Sequence, residues 1–193
     1  MEFTLALLLY GVLQFIAFLF VLVGTPIDMF RLKDEGRFGN TPCVTLWGSK
    51  PDCSSGNFQL KSDALWRPCP RRRDSFRAAQ VFAIISIFVY GLAALFGLIM
   101  LWCCSCLRLV CLALNVTGIV TLCIVWASMV VAYSTLDGVC FGLRFRMTYG
   151  SGFVLLVMAW CLDIIDIFFL LLPSQASDRS ENKAPSENVD TKE

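Results

Sequence analysis

The sequence predicts an all-α membrane protein: a four-transmembrane-helix bundle with a small, disulfide-stapled, β-containing region outside the membrane. Three observations carry this reading. The mean hydropathy is +0.69, with 57% hydrophobic and only 16% charged residues, too apolar for an ordinary soluble domain. Four apolar runs, at about 4–24, 78–102, 107–133 and 149–172, each reach the roughly 20 helical residues that cross a bilayer core. Between them lie polar stretches holding Cys43, Cys53, Cys69 and Cys140, enough for two disulfides if their side of the membrane is oxidising.

The first run starts just after Met1 with no basic segment before it and ends VLVGTP, without a small-residue cleavage site, so it reads as a retained span. Pro26 and Pro173 are expected to stop helices one and four. An even number of spans puts both termini on one side, and the loops at about 25–77 and 134–148 on the other. Residues around Cys103–Leu107 are expected to form a tight turn. In the first loop, the run CVTLW with turn formers GSKPD and SSGN nearby predicts short strands. Residues 174–193 contain almost nothing apolar to offset the entropy of ordering them, and are expected to be a disordered tail.

Composition also narrows function. There is no histidine, which removes the usual general base and the commonest zinc ligand. With no nucleophile motif and no cofactor fingerprint, neither an enzyme nor a cofactor is expected. A formal net charge of +1 gives no reason to expect a nucleic-acid partner. Within the spans, Asp163 and Asp166 stand out, because a carboxylate among apolar residues is costly and marks a functional candidate. At 1.5 Å per residue, Gln14, Asn115 and Asp163 fall in one layer about 12–15 Å from the side of the termini, and Asp166 shares the face of Asp163. The layer reads either as an interhelical hydrogen-bonded cluster or as a site that handles protons or ions.

Arg71, Arg72 and Arg73 form the densest basic patch, read as anchoring to the protein's own headgroups or as attraction to anionic lipids or glycans on an apposed membrane. Cys103, Cys104 and Cys106 read as an S-acylation cluster, since no second cysteine pair completes a zinc site. Gly91, Ala93, Ala94 and Gly97 allow close helix approach, within one chain or in a homo-oligomer. The sequon at Asn115-Val116-Thr117 lies inside a span, so N-glycosylation there is not expected. Orientation is contested: twelve basic residues on the two-loop face against four on the other would place that face in the cytosol, while paired loop cysteines would place it outside.

The stretch CVTLWGSKPDC, 43–53, resembles the signature of the amastins, tetraspan surface proteins of trypanosomatid parasites. Cys43, Val44, Thr45, Leu46, Trp47, Gly48, Lys50, Asp52 and Cys53 each satisfy its constrained positions. GTPIDMFR (24–31), FRAAQVFAIISI (76–87) and FVLLVMAWCLDII (153–165) are similar to the family too, and the resemblance covers residues 1–173. It implies a plasma-membrane protein with cytosolic termini and the signature loop outside. The layout also resembles the claudin group, except that Trp47 lies between the two cysteines rather than ahead of both. On this basis a Cys43–Cys53 bridge is expected, stabilising the hairpin by roughly 2–3 kcal/mol, with Gly48 adopting a backbone angle closed to other residues. Cys69 and Cys140 then remain to tie the two loops together. The implied role is non-catalytic interaction with a host membrane plus surface integrity. The alternative is a proton or ion conductor, or its accessory subunit, acting through Asp163 and Asp166.

Overall fold

The computed structural model describes residues 2–33, 41–54, 56–102, 107–136 and 140–181. Long apolar runs can satisfy their backbone groups in lipid only by coiling into helices. The chain does so four times: α1 (Glu2–Gly24), α3 (Pro70–Trp102), α4 (Leu107–Ser134) and α5 (Ser151–Glu181). A one-turn helix, α2 (Ser62–Leu65), precedes α3. At most 33% of the apolar window of each long helix is buried within the protein, so most of that surface is left for lipid.

Two elements depart from expectation. The second long helix begins at Pro70, before the span itself, so Arg71, Arg72 and Arg73 stand on a helix instead of in a loop. Tyr10 lies against Gly97 and Phe18 against Gly91, so α1 ends, at Gly24, level with about residue 84 of antiparallel α3. The first fourteen or so residues of α3 therefore project about 21 Å beyond the end of α1. The last helix, in turn, runs through Pro173 to Glu181 rather than stopping there. Proline removes one intrahelical bond, the one to the Phe169 carbonyl; the Arg108 guanidinium donates to the next carbonyl, that of Leu170. Of the tail expected at 174–193, residues 182–193 lie outside the described residues.

On the two-loop side the chain builds one sheet, in the order β4-β3-β2-β1-β5, from β1 (Asp28–Leu32), β2 (Cys43–Thr45), β3 (Gly48–Lys50), β4 (Leu60–Lys61) and β5 (Met147–Tyr149). Every neighbouring pair is antiparallel. The last strand comes from the second loop, so the sheet joins both loops through main-chain bonds. Phe30, Tyr133, Tyr149 and Phe153 form a ladder of rings beneath it, with successive centroids 5.7, 4.4 and 4.3 Å apart. The Tyr133 hydroxyl donates to the Met147 carbonyl, 3.1 Å away.

Asp28 joins sheet and bundle. Its buried carboxylate accepts from the Ser151 backbone N–H (3.3 Å) and hydroxyl (3.0 Å) at the first turn of α5, and from Arg31 Nε (2.5 Å). A negative group at a helix N-terminus is favourable on charge alone. Gly150 leaves room for it: a Cβ there would lie 2.1 Å from Asp28 Oδ2. Asp28→Ala is expected to cost about 1–3 kcal/mol by stranding these donors. A thermal unfolding series in micelles checks this, with Arg31→Ala, whose side chain is half exposed, expected to cost less.

Candidate functional site

The signature stretch folds as the β2–β3 hairpin, with Cys43 opposite Lys50 and Val44 opposite Ser49. Thr45 closes its turn: the hydroxyl donates to the Gly48 carbonyl (3.0 Å) and accepts from the Trp47 and Gly48 N–H groups (3.2 Å each). Val44 and Leu46 are buried, and the Leu46 carbonyl takes a bond of 2.8 Å from Gln80 Nε2 on α3. Lys50 lies over the Phe58 ring, and Asp52 accepts from the Ser54 N–H. The glycine is needed for space rather than for its backbone angle: a Cβ on Gly48 would lie 2.2 Å from the Leu60 carbonyl oxygen of β4. Beside the hairpin, Trp47, Phe58, Lys61, Ser62, Asp63 and Gln80 line a groove of about 550 Å³.

Cys69 and Cys140 form a disulfide, with Cα atoms 6.2 Å apart, linking the start of α3 to the second loop. Cys43 and Cys53 are unbridged but stand thiol beside thiol, within hydrogen-bonding reach of each other. The hairpin is closed by strand pairing and Thr45, while Cys53, three residues beyond the paired Lys50, points its thiol to the Thr41 carbonyl at 3.3 Å. Burial, and next the neighbouring Cys53, push the Cys43 thiol up to about 12.

The arginine patch does not survive as a patch. Arg72 is buried: its guanidinium donates to the Phe141 carbonyl (2.9 Å) and the Thr135 carbonyl (3.4 Å) and lies over the Trp66 ring. A guanidinium, with several donors in a fixed plane, suits this bridging of chain segments. Arg71 remains exposed, and Arg73 is partly buried near Asp74. Arg77 pairs with Asp63 at 2.7 Å on the surface, where such pairs contribute little. The cysteines proposed for acylation, Cys103, Cys104 and Cys106, lie outside the described residues.

Within the spans, the structure brings polar residues from all four helices to the bundle axis. Tyr10, Cys111 and Leu170 share one buried cluster. One helical turn toward the sheet, Gln14, Asn115 and Asp166 follow on α1, α4 and α5, at one level. Asp163 stands a further turn along, where it and Tyr90 close on Gly118: a Cβ there would lie 2.9 Å from Asp163 Oδ2 and 3.0 Å from the Tyr90 ring. The polar zone is thus about two turns deep. Gln14, Tyr90, Asn115, Asp163 and Asp166 are at most 1% exposed. Asn115, buried in α4, offers no surface for a glycan. Sequence reasoning missed Tyr10 and Tyr90 here, although both sit on the inner face that Gly97 and Gly118 mark.

Among the described residues, no three His, Cys, Asp or Glu side chains converge as a metal cluster. Together the fold and these features define a multi-pass membrane protein: a tetraspan bundle with a disulfide-linked outer sheet and a polar interior. The model of the family described as amastin surface glycoprotein matches residues 15–170, most of the chain, and the protein belongs to that family. A comparison with curated proteins finds no match.

Two expectations follow for the hairpin and its cysteines. Gly48→Ala should lower the yield of folded protein far more than Ser49→Ala, read by gel filtration in detergent, because β4 must move for the new methyl. In intact protein, alkylation followed by mass spectrometry should find Cys69 and Cys140 blocked and Cys53 modified. Cys43 should be slow below strongly alkaline pH, since only the thiolate reacts.

Proposed function

We propose that this protein is a non-catalytic component of the plasma membrane, with cytosolic termini, whose two-loop face docks on the anionic lipid surface of an apposed host membrane. One observation carries the reading: Phe141 and Phe145 are 80% and 60% exposed on the second loop. Arg72, near the outer end of α3, holds the Phe141 carbonyl, which places that residue on the order of 15 Å beyond the end of α1. The same guanidinium holds the Thr135 carbonyl just past the end of α4, so the rings stand at the sheet end of both helices. Buried Leu143 anchors the turn Leu143–Phe145, leaving Phe141 before it and Phe145 at its end exposed.

Exposed apolar groups clustered on a water-facing surface mark a contact site. Leu136 and the Phe145 ring both approach Gly142, making the patch continuous, and Arg144, Arg146 and Arg71 surround it with positive charge. Rings that favour the membrane interface, beside cations that attract anionic headgroups, suit a lipid surface better than a glycan. This also gives the basic excess on the two-loop face a use opposite to retention in the cytosol.

The test is docking between proteoliposomes carrying the full chain and separate labelled vesicles. Vesicles containing phosphatidylserine should dock and pure phosphatidylcholine should not. Phe141→Ser with Phe145→Ser should reduce docking about tenfold while leaving the fold intact. Docking that is unchanged in this variant, or that heparin competes away without any lipid preference, overturns the lipid reading. An epitope inserted after Ser54 should label intact cells; labelling only after permeabilisation overturns the orientation.

A further inference from the structure

We propose that the groove beside the signature hairpin binds a single phospholipid of the protein's own bilayer, with the phosphodiester at Lys61 and the acyl chains along α3. The inference stands apart from the docking of the second loop on an apposed membrane.

The groove gathers side chains from separate elements: Trp47 from the hairpin, Gln59 and Lys61 from the approach to β4 and the strand itself, Ser62 and Asp63 from α2, and Gln80 from α3. Its volume of about 550 Å³ lies within the roughly 300–1,000 Å³ of small-molecule sites. Its charge points to an anion. Asp63 is spent on Arg77, 2.7 Å away, whereas Lys61 has no ion-pair partner among the described residues. Lys50, with its ammonium 5.1 Å from the centre of the Phe58 ring, brings a second cation to the same side. The Trp47 indole N–H, the Gln59 amide and the Ser62 hydroxyl donate to no protein group among the described residues. One uncompensated cation beside open N–H and O–H donors suits the oxygens of a phosphate. Gln59 and Gln80 also offer amide oxygens, which a headgroup hydroxyl or ammonium can meet.

Position then selects a lipid over a free phosphate. On the exposed face of α3, Phe88, Ile84 and Val81 are 68%, 44% and 56% exposed, and the next exposed residue toward the sheet is Arg77. The helix surface thus turns from apolar to charged within one turn, and Gln80, in the groove wall, stands at that boundary. Ile84 lies one turn from Gln80 on the same face, so the groove opens directly onto the apolar stripe. A molecule with a phosphate at one end and hydrocarbon at the other matches this succession. Trp47 and Phe58, amphipathic or apolar rings in the groove, suit the zone where headgroup meets chain.

The full chain, delipidated in detergent, provides the test. Native mass spectrometry follows binding while three probes are titrated: phosphatidylcholine, diacylglycerol with the same acyl chains, and soluble glycerophosphocholine. One phosphatidylcholine is expected to bind per chain, saturably and about tenfold more tightly than either of the others. Lys61→Ala, which removes an exposed side chain, should weaken that binding about tenfold. If it does not fold, Gln59→Ala, expected to cause a smaller loss, decides in its place. Phe141→Ser with Phe145→Ser should leave phospholipid binding unchanged, and Lys61→Ala should leave vesicle docking unchanged, so the two roles fail separately. Diacylglycerol bound as tightly would overturn the phosphate reading, and glycerophosphocholine bound as tightly would overturn the lipid reading. Phospholipid binding insensitive to the groove substitutions would overturn the site and leave only nonspecific lipid contact.

Discussion

A single buried carboxylate, Asp28, fixes how the outer sheet is joined to the membrane helices. It follows α1 after a short turn, opens β1, and receives the first turn of α5 through Ser151. Because β1 lies between β2 and β5, its placement sets both neighbours: the signature hairpin on one side and the second loop on the other. Gly150 is compelled by the same contact. The sheet is too small to stand alone, since its strands are two to five residues long. It persists because it is pinned to helices that the bilayer already holds straight.

The remaining pins act on the same principle. The Cys69–Cys140 bridge, Arg72 on the Phe141 and Thr135 carbonyls, and Gln80 on the Leu46 carbonyl all run from α3 to the outer region. The length of α3 beyond the span is what makes this reach available. Carried on that post, the second loop presents Phe141 and Phe145 as exposed rings at the sheet end of α3 and α4.

Much of this was legible in the sequence where a short-range rule applied. The four spans followed from run length, the hairpin from CVTLW before GSKPD, and the polar interior from carboxylates that lipid cannot face. Residues whose roles depend on a distant partner were less readable. Arg72 looked like one of three equal arginines, yet helical geometry turns it toward Trp66 while Arg71 faces out. Gly48 looked like a conformational device and is a matter of clearance from β4. Asp28 sat inside a family-like motif without any sign that Ser151, 123 positions away, would be its partner.

By itself, the sequence determined membrane insertion, helix number and the family, because bilayer thickness acts on hydrophobic run length and the signature is contiguous in the chain. Only the tertiary structure decided which cysteines are bridged, which arginine is buried, how far α3 continues beyond the end of α1 and at what level the polar side chains meet. Those outcomes depend on distances between helices that run in opposite directions, and no local pattern encodes them. The same packing turns four separately placed polar residues, Gln14, Asn115, Asp163 and Asp166, into one buried polar zone.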